Sequence, residues 1–499
     1  MELQTSVYHN NSDVAFAENM VPLCELAKGL EEAGEFESAV ETLSPFWSGP
    51  VSRPQISGLT EHPKAELLLR SGTLTGWVGS AKQIPGAQEA AKHLISESVA
   101  LFEHLGFPEK VAEARVDLAI CYWREGALDE ARVTLRHVLE SFGETQSEQR
   151  LRALLNSAIV EKVATREREA LKIYRQSSDL FAGSTNHALK GKFHNSHATL
   201  LRSLGTSEDR EDYIDNALVE YAAASYHFER AGHRRFQARV ENNVGYLYAT
   251  LRRFDEAHEH LTRARMLHLS VGDCGGAAGA EDTRAQAFLM EGKYEDAERA
   301  SRSAVRSLTL GGEQAILAEA LTTYATALAR LRQFPLAKTT VDQAVEIART
   351  VGNPDRGGIA AVTAIEELSS YLSVDSLQAY YFTAESLLAK SQNRSLKTRL
   401  GECARRILAA EFASLKSNTQ TTDLPAMQPG FSLDAEVLRY EGSLIRKALE
   451  DSGGSVTRAA RQLGVTHQGL AFILNGRHSD LLSIRTPVKK RRRSIIRHH

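Results

Sequence analysis

Side chains that can bind the bases and phosphates of DNA are concentrated near the end of the sequence, between residues 455 and 477. Gln and Asn can form paired hydrogen bonds with adenine, and His can donate or accept one. Hydroxyl and basic side chains bind phosphates, which position a protein on DNA without reading its sequence. The candidate base-reading residues are His467, Gln468, Ala471 and Asn475. The other candidate DNA-binding residues are Ser455, Thr457, Arg458, Thr466 and Arg477.

A basic tail follows this segment. The thirteen residues from 485 to 497 contain no acidic residue, and their basic residues are Arg485, Lys489, Lys490, Arg491, Arg492, Arg493 and Arg497. Such a run suits phosphate binding or insertion into a DNA groove, although a solvated tail has the same composition. From residue 431 onward, 13 Lys and Arg face 6 Asp and Glu, a net charge of +7, whereas the rest carries −10. A polyanionic partner is therefore expected at the C-terminal module and not at the acidic body.

Three helices are predicted to position these candidate residues. Asp434 can cap a helix over about 435–452, and Gly453 or Gly454 supplies a left-handed stop. Ser455 and Thr466 can cap the second and third helices, and Gly464 permits a tight turn between them. The side chains expected to form the shared core are Val437, Leu438, Leu444, Ile445, Ala448, Leu449, Val456, Ala459, Ala460, Leu463, Val465, Leu470 and Leu474.

This segment resembles the Fis-type helix-turn-helix at the end of bacterial enhancer-binding activators. The matching residues are Leu444-Ile445, Ala448-Leu449, Gly453-Gly454, Ala459-Ala460, Leu463-Gly464-Val465-Thr466 and Leu470. The resemblance implies that the third helix enters the major groove of double-stranded DNA and that the module works as a homodimer. Where the family usually has Arg or Lys on the third helix, this chain has Gly469, Phe472 and Ile473. Phe472 and Ile473 are candidates for a dimer surface instead.

The long body before this module contains a repeated pattern in which an aromatic residue or Leu precedes an Ala. The clearest instances end at Ala39, Ala131, Ala257, Ala297 and Ala337, and the last three are 40 residues apart. Weaker instances occur at Ala91, Ala170, Ala217 and Ala379. A fixed period of this length indicates stacked helical hairpins, in which a small residue lets the two helices cross closely.

The repeats resemble the tetratricopeptide family, because Gly245, Tyr248, Ala257 and Ala264 have the spacing of its signature. The predicted fold is all-α, a tetratricopeptide-like α-solenoid of about nine helical hairpins followed by the three-helix module. The resemblance implies that a protein or peptide partner binds the concave face. Asn242 and Asn243 could contact such a partner there, although a polar solvent face would also explain them.

The predicted domain organisation has five parts. They are an N-terminal segment at 1–19, the solenoid at 20–415, a flexible linker at 416–430, the helix-turn-helix domain at 431–480 and the basic tail at 481–499. The linker prediction rests on the polar, proline-containing sequence SNTQTTDLPAMQPG.

Several classes of protein are disfavoured by the sequence. No GxxxxGK[ST] motif is present, so the ATPase domain that usually precedes a Fis-type module is not predicted. His194 and His197 have helical spacing but no evident third ligand, so neither a metal site nor a cofactor is expected. No catalytic constellation is evident, so the protein is not expected to be an enzyme. Widely spaced cysteines and the absence of a signal peptide or membrane span predict a cytoplasmic protein that is associated with the bacterial nucleoid when it is bound to DNA.

These observations favour a DNA-binding transcriptional regulator whose solenoid binds a protein or peptide. Two alternatives remain open. The chain could be an interaction scaffold that does not bind DNA, with the C-terminal helices as a structural cap. Its basic tail could instead bind RNA.

Overall fold

The structure is a computed structural model that describes residues 20–82, 84–143, 147–311, 314–389, 391, 393–418 and 432–485. The regular elements in these ranges are all helices, as predicted. The chain divides into two compact units, residues 1–412 and 413–499. Each unit is described by itself below.

Nineteen helices follow one another in the described part of the body, up to residue 418. Their bounds are α1 Met20–Ala33, α2 Phe36–Thr42, α3 Glu61–Ala81, α4 Ala87–Leu105, α5 Pro108–Glu125, α6 Leu128–Phe142, α7 Glu148–Val163, α8 Glu167–Ala182, α9 His187–Glu208, α10 Glu211–Arg230, α11 Arg234–Thr250, α12 Phe254–Ser270, α13 Cys274–Glu291, α14 Tyr294–Gly311, α15 Gln314–Arg330, α16 Phe334–Thr350, α17 Pro354–Leu368, α18 Val374–Leu388 and α19 Arg394–Asn418. Within these bounds α1 to α18 form nine successive hairpins, which confirms the predicted solenoid.

Each hairpin is held together where its second helix crosses the first. Ala39, Ala131, Ala257, Ala297 and Ala337 each stand at the fourth position of a second helix and are fully buried. The glycine that faces Ala257 shows how close the crossing is, because a Cβ at Gly245 would lie 2.6 Å from Leu261 Cγ. A larger side chain at either position would force the helices apart, which explains why the repeat signature consists of small residues.

The ninth hairpin corrects one sequence prediction. Ala379 was expected to continue the series of crossing residues, but it is exposed. The fourth position of α18 is Leu377, which is 2% exposed and which continues the 40-residue period after Ala337. The crossing position therefore keeps the 40-residue spacing in the ninth hairpin, but the residue there is Leu instead of Ala.

The second unit contains three helices and a 3₁₀ helix in its described residues. They are α20 Leu433–Asp451, α21 Val456–Gln462, α22 His467–Asn475 and the 3₁₀ helix Ser479–Ile484. Its core consists of Ile445, Ala448, Leu449, Val456, Ala459, Ala460, Leu470, Leu474 and Leu481. The 3₁₀ helix crosses the predicted domain end at residue 480, and Leu481 is part of the core.

Four predicted core residues of this module are exposed. Val465 is 42% exposed, and Val437, Leu438 and Leu444 also face solvent. For the three residues on α20, the reason is the length of the helices: α20 has 19 residues, whereas α21 and α22 have only 7 and 9. At a rise of about 1.5 Å per residue, the two short helices cannot cover the whole of α20. The apolar stripe of α20 is therefore divided between a buried C-terminal half and an exposed N-terminal half.

Some predicted segments lie outside the described residues. The N-terminal segment 1–19, residues 419–430 of the linker and residues 486–499 of the tail belong to this group. The first three linker residues, 416–418, lie in α19.

Candidate DNA interface and ligand channel

The turn between α21 and α22 has the backbone geometry that a helix-turn-helix needs. Gly464 has a φ of +66°, and the next amide, of Val465, donates a hydrogen bond to the carbonyl of Ala460 at 3.0 Å. Thr466 then caps α22, because its hydroxyl accepts a hydrogen bond from the Gly469 amide at 3.0 Å. Gly469 is the position where a Cβ would crowd that capping hydroxyl, also at 3.0 Å. The cap and the glycine together fix the start of α22.

The exposed face of α22 carries most of the predicted base-reading residues. His467, Gln468 and Asn475 are exposed, and Ala471 is half-buried. Phe472 is 81% exposed and lies one turn after Gln468 and one turn before Asn475, on the same face. Ile473, by contrast, packs against the core of the module. The sequence analysis therefore missed that Phe472 shares the polar face of α22, and helical spacing from Gln468 could have revealed it.

The cations of the module differ in whether they have acidic partners. Arg458 is exposed and has no ion pair with a described residue. Arg461, which the sequence analysis did not select, is one turn further along α21 and is equally free within the described ranges. Its spacing of three residues from Arg458 is the signal that could have identified it. Ser455 and Thr457 lie at the start of the same short helix, where Ser455 is half-buried and Thr457 exposed.

Arg477 is engaged with an acidic side chain of α20. Its Nε donates to Glu441 Oε2 at 2.7 Å, and its Nη2 donates to Oε1 at 2.5 Å. His478 Nε2 lies 2.9 Å from the same carboxylate, and hydrogen bonding from Arg477 lowers the pKa of Glu441. A contact between Arg477 and DNA remains a prediction, as does any contact from Lys489, Lys490, Arg491, Arg492 or Arg493, which are outside the described residues.

The first unit contains a large channel of about 2390 Å³. The first helix of each hairpin contributes lining residues, so the channel is the concave face of the solenoid. Asn242 and Asn243 both line it. Asn243 Nδ2 donates to Asn195 Oδ1 at 3.1 Å, whereas the Asn242 side-chain oxygen has no partner among the described residues.

One end of the channel contains a network of buried ion pairs. Arg70 pairs with Glu113 and with Glu31, the latter at 3.1 Å. Arg152 pairs with Asp117 at 2.6 Å. These carboxylates are therefore already neutralised by arginines of the protein.

The histidine pair noted in the sequence meets a carboxylate. His194 Nδ1 and His197 Nδ1 lie 2.7 and 3.2 Å from the two oxygens of Glu220. Among the described residues, no group of three or more His, Cys, Asp or Glu side chains is arranged to hold a metal ion. Nor does the described part of the chain contain a helix that is long and apolar enough to cross a membrane.

Comparisons with known proteins agree with this geometry at the C-terminus. Residues 439–471 match the family model described as bacterial regulatory protein, Fis family. The comparison with curated protein sequences finds no significant match.

Several solved structures are similar to the chain over most of its length. A Rap protein complexed with competence and sporulation factor has 13% identity and a TM-score of 0.46, covering 70% of this chain and 97% of its own. Yeast Tom70 has 13% identity and a TM-score of 0.44, covering 80% and 82%. A signal transduction ATPase with a tetratricopeptide repeat sensor, from Pyrococcus horikoshii, has 13% identity and a TM-score of 0.40, covering 78% and 54%. All three TM-scores are below 0.5, so the description of the body as a solenoid rests on its own hairpins.

The family match and the capped turn around Gly464 concern the same residues. The chain thus combines a tetratricopeptide-like solenoid with a C-terminal helix-turn-helix domain of the Fis family of bacterial regulatory proteins.

Proposed function

We propose that the protein is a transcriptional regulator, not an enzyme, that acts in the bacterial cytoplasm on nucleoid DNA. Its C-terminal domain contacts double-stranded DNA, and its solenoid binds a protein or peptide. The observation that carries the proposal is the exposed face of α22, with His467, Gln468 and Asn475, at the end of a capped turn in a Fis-type domain. Side chains in this position of a helix-turn-helix read base edges in the major groove.

Affinity in this proposal comes mainly from cations. Arg458 and Arg461 are exposed on α21 and free of ion pairs with described residues, so they are available to DNA phosphates. The basic residues from Lys489 onward add further charge. Each phosphate contact releases condensed counterions, so the affinity should fall steeply as salt increases.

Deletion of residues 431–499 tests the proposal. The full chain should bind labelled random duplex DNA at low salt in a fluorescence anisotropy assay, and the shortened chain should not. Circular dichroism of the shortened chain, which should retain a helical body, is the control for folding. Equal DNA binding by the two chains would refute the assignment of binding to this domain. If the full chain binds DNA through this domain, selection of bound sequences from a random DNA pool shows whether a palindrome is enriched.

The domain is further proposed to work as a homodimer through the uncovered half of α20. Leu433, Val437, Tyr440 and Leu444 are all exposed, and their spacing of four, three and four residues places them on one face. A second copy of the same helix has the matching apolar seam. A two-fold pair would also present two α22 helices to two half-sites of DNA.

An interaction scaffold without DNA binding is the alternative. The same exposed seam on α20 favours it, because an apolar helix face also suits docking of another protein. If the full chain does not change the anisotropy of labelled duplex DNA at low salt, this alternative is supported.

A further inference from the structure

Several cations that line the solenoid channel, among them Lys82 and Lys162, have no acidic partner among the described residues, and three of these cations lie over aromatic rings. They are Arg124 on α5, Lys192 on α9 and Arg239 on α11, and all three line the channel. None of them forms an ion pair with a described residue, in contrast to Arg70 and Arg152 in the same channel. Charged groups without partners are expensive to enclose in a protein, and Arg124 and Lys192 are half-buried, so the presence of these two cations needs an explanation.

Aromatic rings hold these cations in place. The Arg124 guanidinium lies 3.8 Å from the centroid of Trp77, and its Nη1 donates to the Gly76 carbonyl at 3.0 Å. The Trp77 ring in turn stacks on Phe36 at 5.3 Å between centroids. The remaining nitrogens of Arg124 make no hydrogen bond within the described part of the chain. The guanidinium is thus fixed on one side and available on the other.

Lys192 and Arg239 share a second aromatic ring. Lys192 Nζ lies 5.2 Å and the Arg239 guanidinium 5.3 Å from the centroid of Phe236. His233 stacks on Phe236 at 4.0 Å between centroids. Burial, together with the charge of Lys192, lowers the pKa of His233 to about 3, so this imidazole is neutral and adds no charge.

The surroundings lower the pKa of all three cations. Burial lowers the pKa of Arg124 to about 10, and the nearby charge of Arg239 contributes to this shift. Burial also lowers the pKa of Lys192 and of Arg239. All three side chains still contact the water of the channel, because Arg124 and Lys192 are half-buried and Arg239 is exposed. Solvent therefore screens the attraction between these cations and an anion in the channel only weakly.

Most of the acidic groups near these cations form ion pairs with other residues. Glu31 and Asp117 influence Arg124 and Lys192 but pair with Arg70 and Arg152. Asp273, which faces Arg239, contacts Arg235 at 3.3 Å and His268 at 2.9 Å. The other acid that acts on Lys192 is Glu32, which forms no ion pair with any described residue. These carboxylates therefore supply only part of the negative charge that would balance the three cations.

We propose that the channel binds an acidic peptide segment, whose carboxylates occupy the site formed by Arg124, Lys192 and Arg239. This inference rests on the proposed function and names the chemistry of the solenoid's partner. A peptide fits better than a small anion because the channel, at about 2390 Å³, exceeds the roughly 300–1,000 Å³ of small-molecule sites. The amides of Asn195, Asn242 and Asn243 line the same channel and can bond to a peptide backbone.

Two pools of labelled octapeptides test the inference on the full chain. One pool carries Asp or Glu at half of its positions, and the other carries Asn or Gln at the same positions. Fluorescence anisotropy at low salt should show at least about ten-fold tighter binding of the acidic pool, as expected for charge-assisted hydrogen bonds. Equal affinity of the two pools would overturn the inference.

Single substitutions locate the site. Arg124→Gln, Lys192→Gln and Arg239→Gln should each weaken binding of the acidic pool by roughly ten-fold or more. Arg136→Gln is the matched control, because Arg136 is exposed, does not line the channel and has no ion pair with a described residue. Unchanged binding in all three channel variants would exclude this site.

Charge reversal separates recognition from folding. Arg239→Glu should shift the preference from the acidic pool towards a lysine-containing pool, which a misfolded protein cannot do. Loss of acidic-peptide binding without any gain for the lysine pool, in a protein that retains its helical spectrum, would count against a direct contact.

Binding of ATP or inorganic phosphate at these cations without binding of acidic peptides would overturn the peptide assignment. DNA binding by the same samples is measured in parallel, because it depends on the C-terminal domain and its failure would concern the proposed function alone.

Discussion

Arg235 and Glu37, which are 198 residues apart in the sequence, form an ion pair with 3.3 Å between Nη2 and Oε2. Beside this pair, the imidazole of His233 fills the space next to Gly34 that a side chain there would need. The start of the sixth hairpin thus contacts the end of α1 in the first hairpin. Because Glu37 is well exposed, the ion pair itself contributes little, and the steric fit at Gly34 is the more important contact.

Gly34→Ala should therefore destabilise the solenoid. A Cβ at Gly34 would lie 2.3 Å from His233 Cε1, and the backbone there has a φ of +80°. Gly58→Ala is the matched control, since Gly58 has a φ of +82° but no atom within 4 Å of the added Cβ. Both variants incur backbone strain, and Gly34→Ala should lose about 1–3 kcal/mol more in urea unfolding followed by circular dichroism. Equal losses would show that the contact with His233 does not stabilise the body.

Asp282 should make the stability of the body fall as the pH rises. Burial, with the nearby charge of Glu319, raises its pKa to about 7, and one carboxylate oxygen has no hydrogen-bond partner among the described residues. The folded state binds this proton more tightly than the unfolded state, so stability is lost between the ordinary pKa of an Asp, about 4, and pH 7. Asp282→Asn should stabilise the protein by roughly 1–3 kcal/mol above pH 7 and have little effect near pH 4.

Thermal unfolding at several pH values measures this effect. Asp255→Asn is the control, because Asp255 is exposed on α12, the helix before that of Asp282, and should leave the pH profile unchanged. A stabilisation by Asp282→Asn that is the same at all pH values would contradict the assignment to a titrating carboxyl.

Most features fixed by neighbouring residues were predictable, although Ser432 and not Asp434 caps α20 and the Ser455 side chain makes no capping hydrogen bond. Features that depend on distant partners were not predictable. The turn at Gly464 and the cap at Thr466 follow from residues within a few positions, and the structure confirms both. Val465, in contrast, was placed in the core because it is apolar and follows the turn, and this prediction is wrong. The engagement of Arg477 depends on Glu441, 36 residues earlier, which no local pattern reveals.

The channel illustrates the same limit. Hairpins were predictable from the period of the crossing residues. Which polar side chains share the concave face depends on the superhelical path that brings α5, α9 and α11 around one channel. The grouping of Arg124 with Arg239 therefore had no signature in the sequence.

Val437→Glu should weaken self-association of the protein. Val437 is 58% exposed in the middle of the seam on α20, where a paired copy would bury the new carboxylate. Ala435→Glu is the matched control, since Ala435 is exposed on the opposite side of the same helix. Sedimentation equilibrium should show at least about a ten-fold weaker dimer for Val437→Glu alone. A full chain that is monomeric at all concentrations, or equal effects of the two variants, would refute pairing through this face.

Arg461→Gln should weaken DNA binding uniformly across sequences and reduce the salt dependence. A phosphate-contacting cation contributes about one unit to the slope of log affinity against log salt. Arg439→Gln removes the same charge from a residue that pairs with Glu436 at 2.8 Å, so it should change the slope less. Anisotropy titrations of duplex DNA over a range of salt concentrations measure both slopes. Identical slopes for the wild-type protein and Arg461→Gln would mean that Arg461 does not contact a phosphate.

Phe472→Ala should instead change sequence preference. Phe472 lies between Gln468 and Asn475 on the exposed face of α22, where an apolar ring can contact a thymine methyl group. Loss of such a contact should reduce discrimination at one base pair of a selected site by about 1–3 kcal/mol while leaving binding to random DNA unchanged. If the substitution lowers binding to random and selected DNA equally, Phe472 has a structural or dimer-forming role.

His227 should make the body less stable in mild acid. Burial, together with the charges of His194, Lys190 and His187, lowers the pKa of His227 to about 4. His187 Nδ1 lies 2.9 Å from His227 Nδ1, and His194 stacks on the ring of His227, so protonation of His227 is opposed by its neighbours. The nearby carboxylate of Glu220 contacts His194 and His197 and is not paired with His227. The unfolded state therefore binds a proton from about pH 6.5 downward, while the folded state resists until pH 4, and stability is lost across that window.

His227→Gln should remove this loss, because glutamine does not titrate. Its melting temperature should fall less than that of the wild-type protein between about pH 7 and pH 4.5. His137→Gln provides the comparison, since His137 is exposed and lies outside the cluster. A wild-type melting temperature that does not fall over this range, or a fall of the same size in His227→Gln, would show that His227 is not the group whose protonation opposes folding.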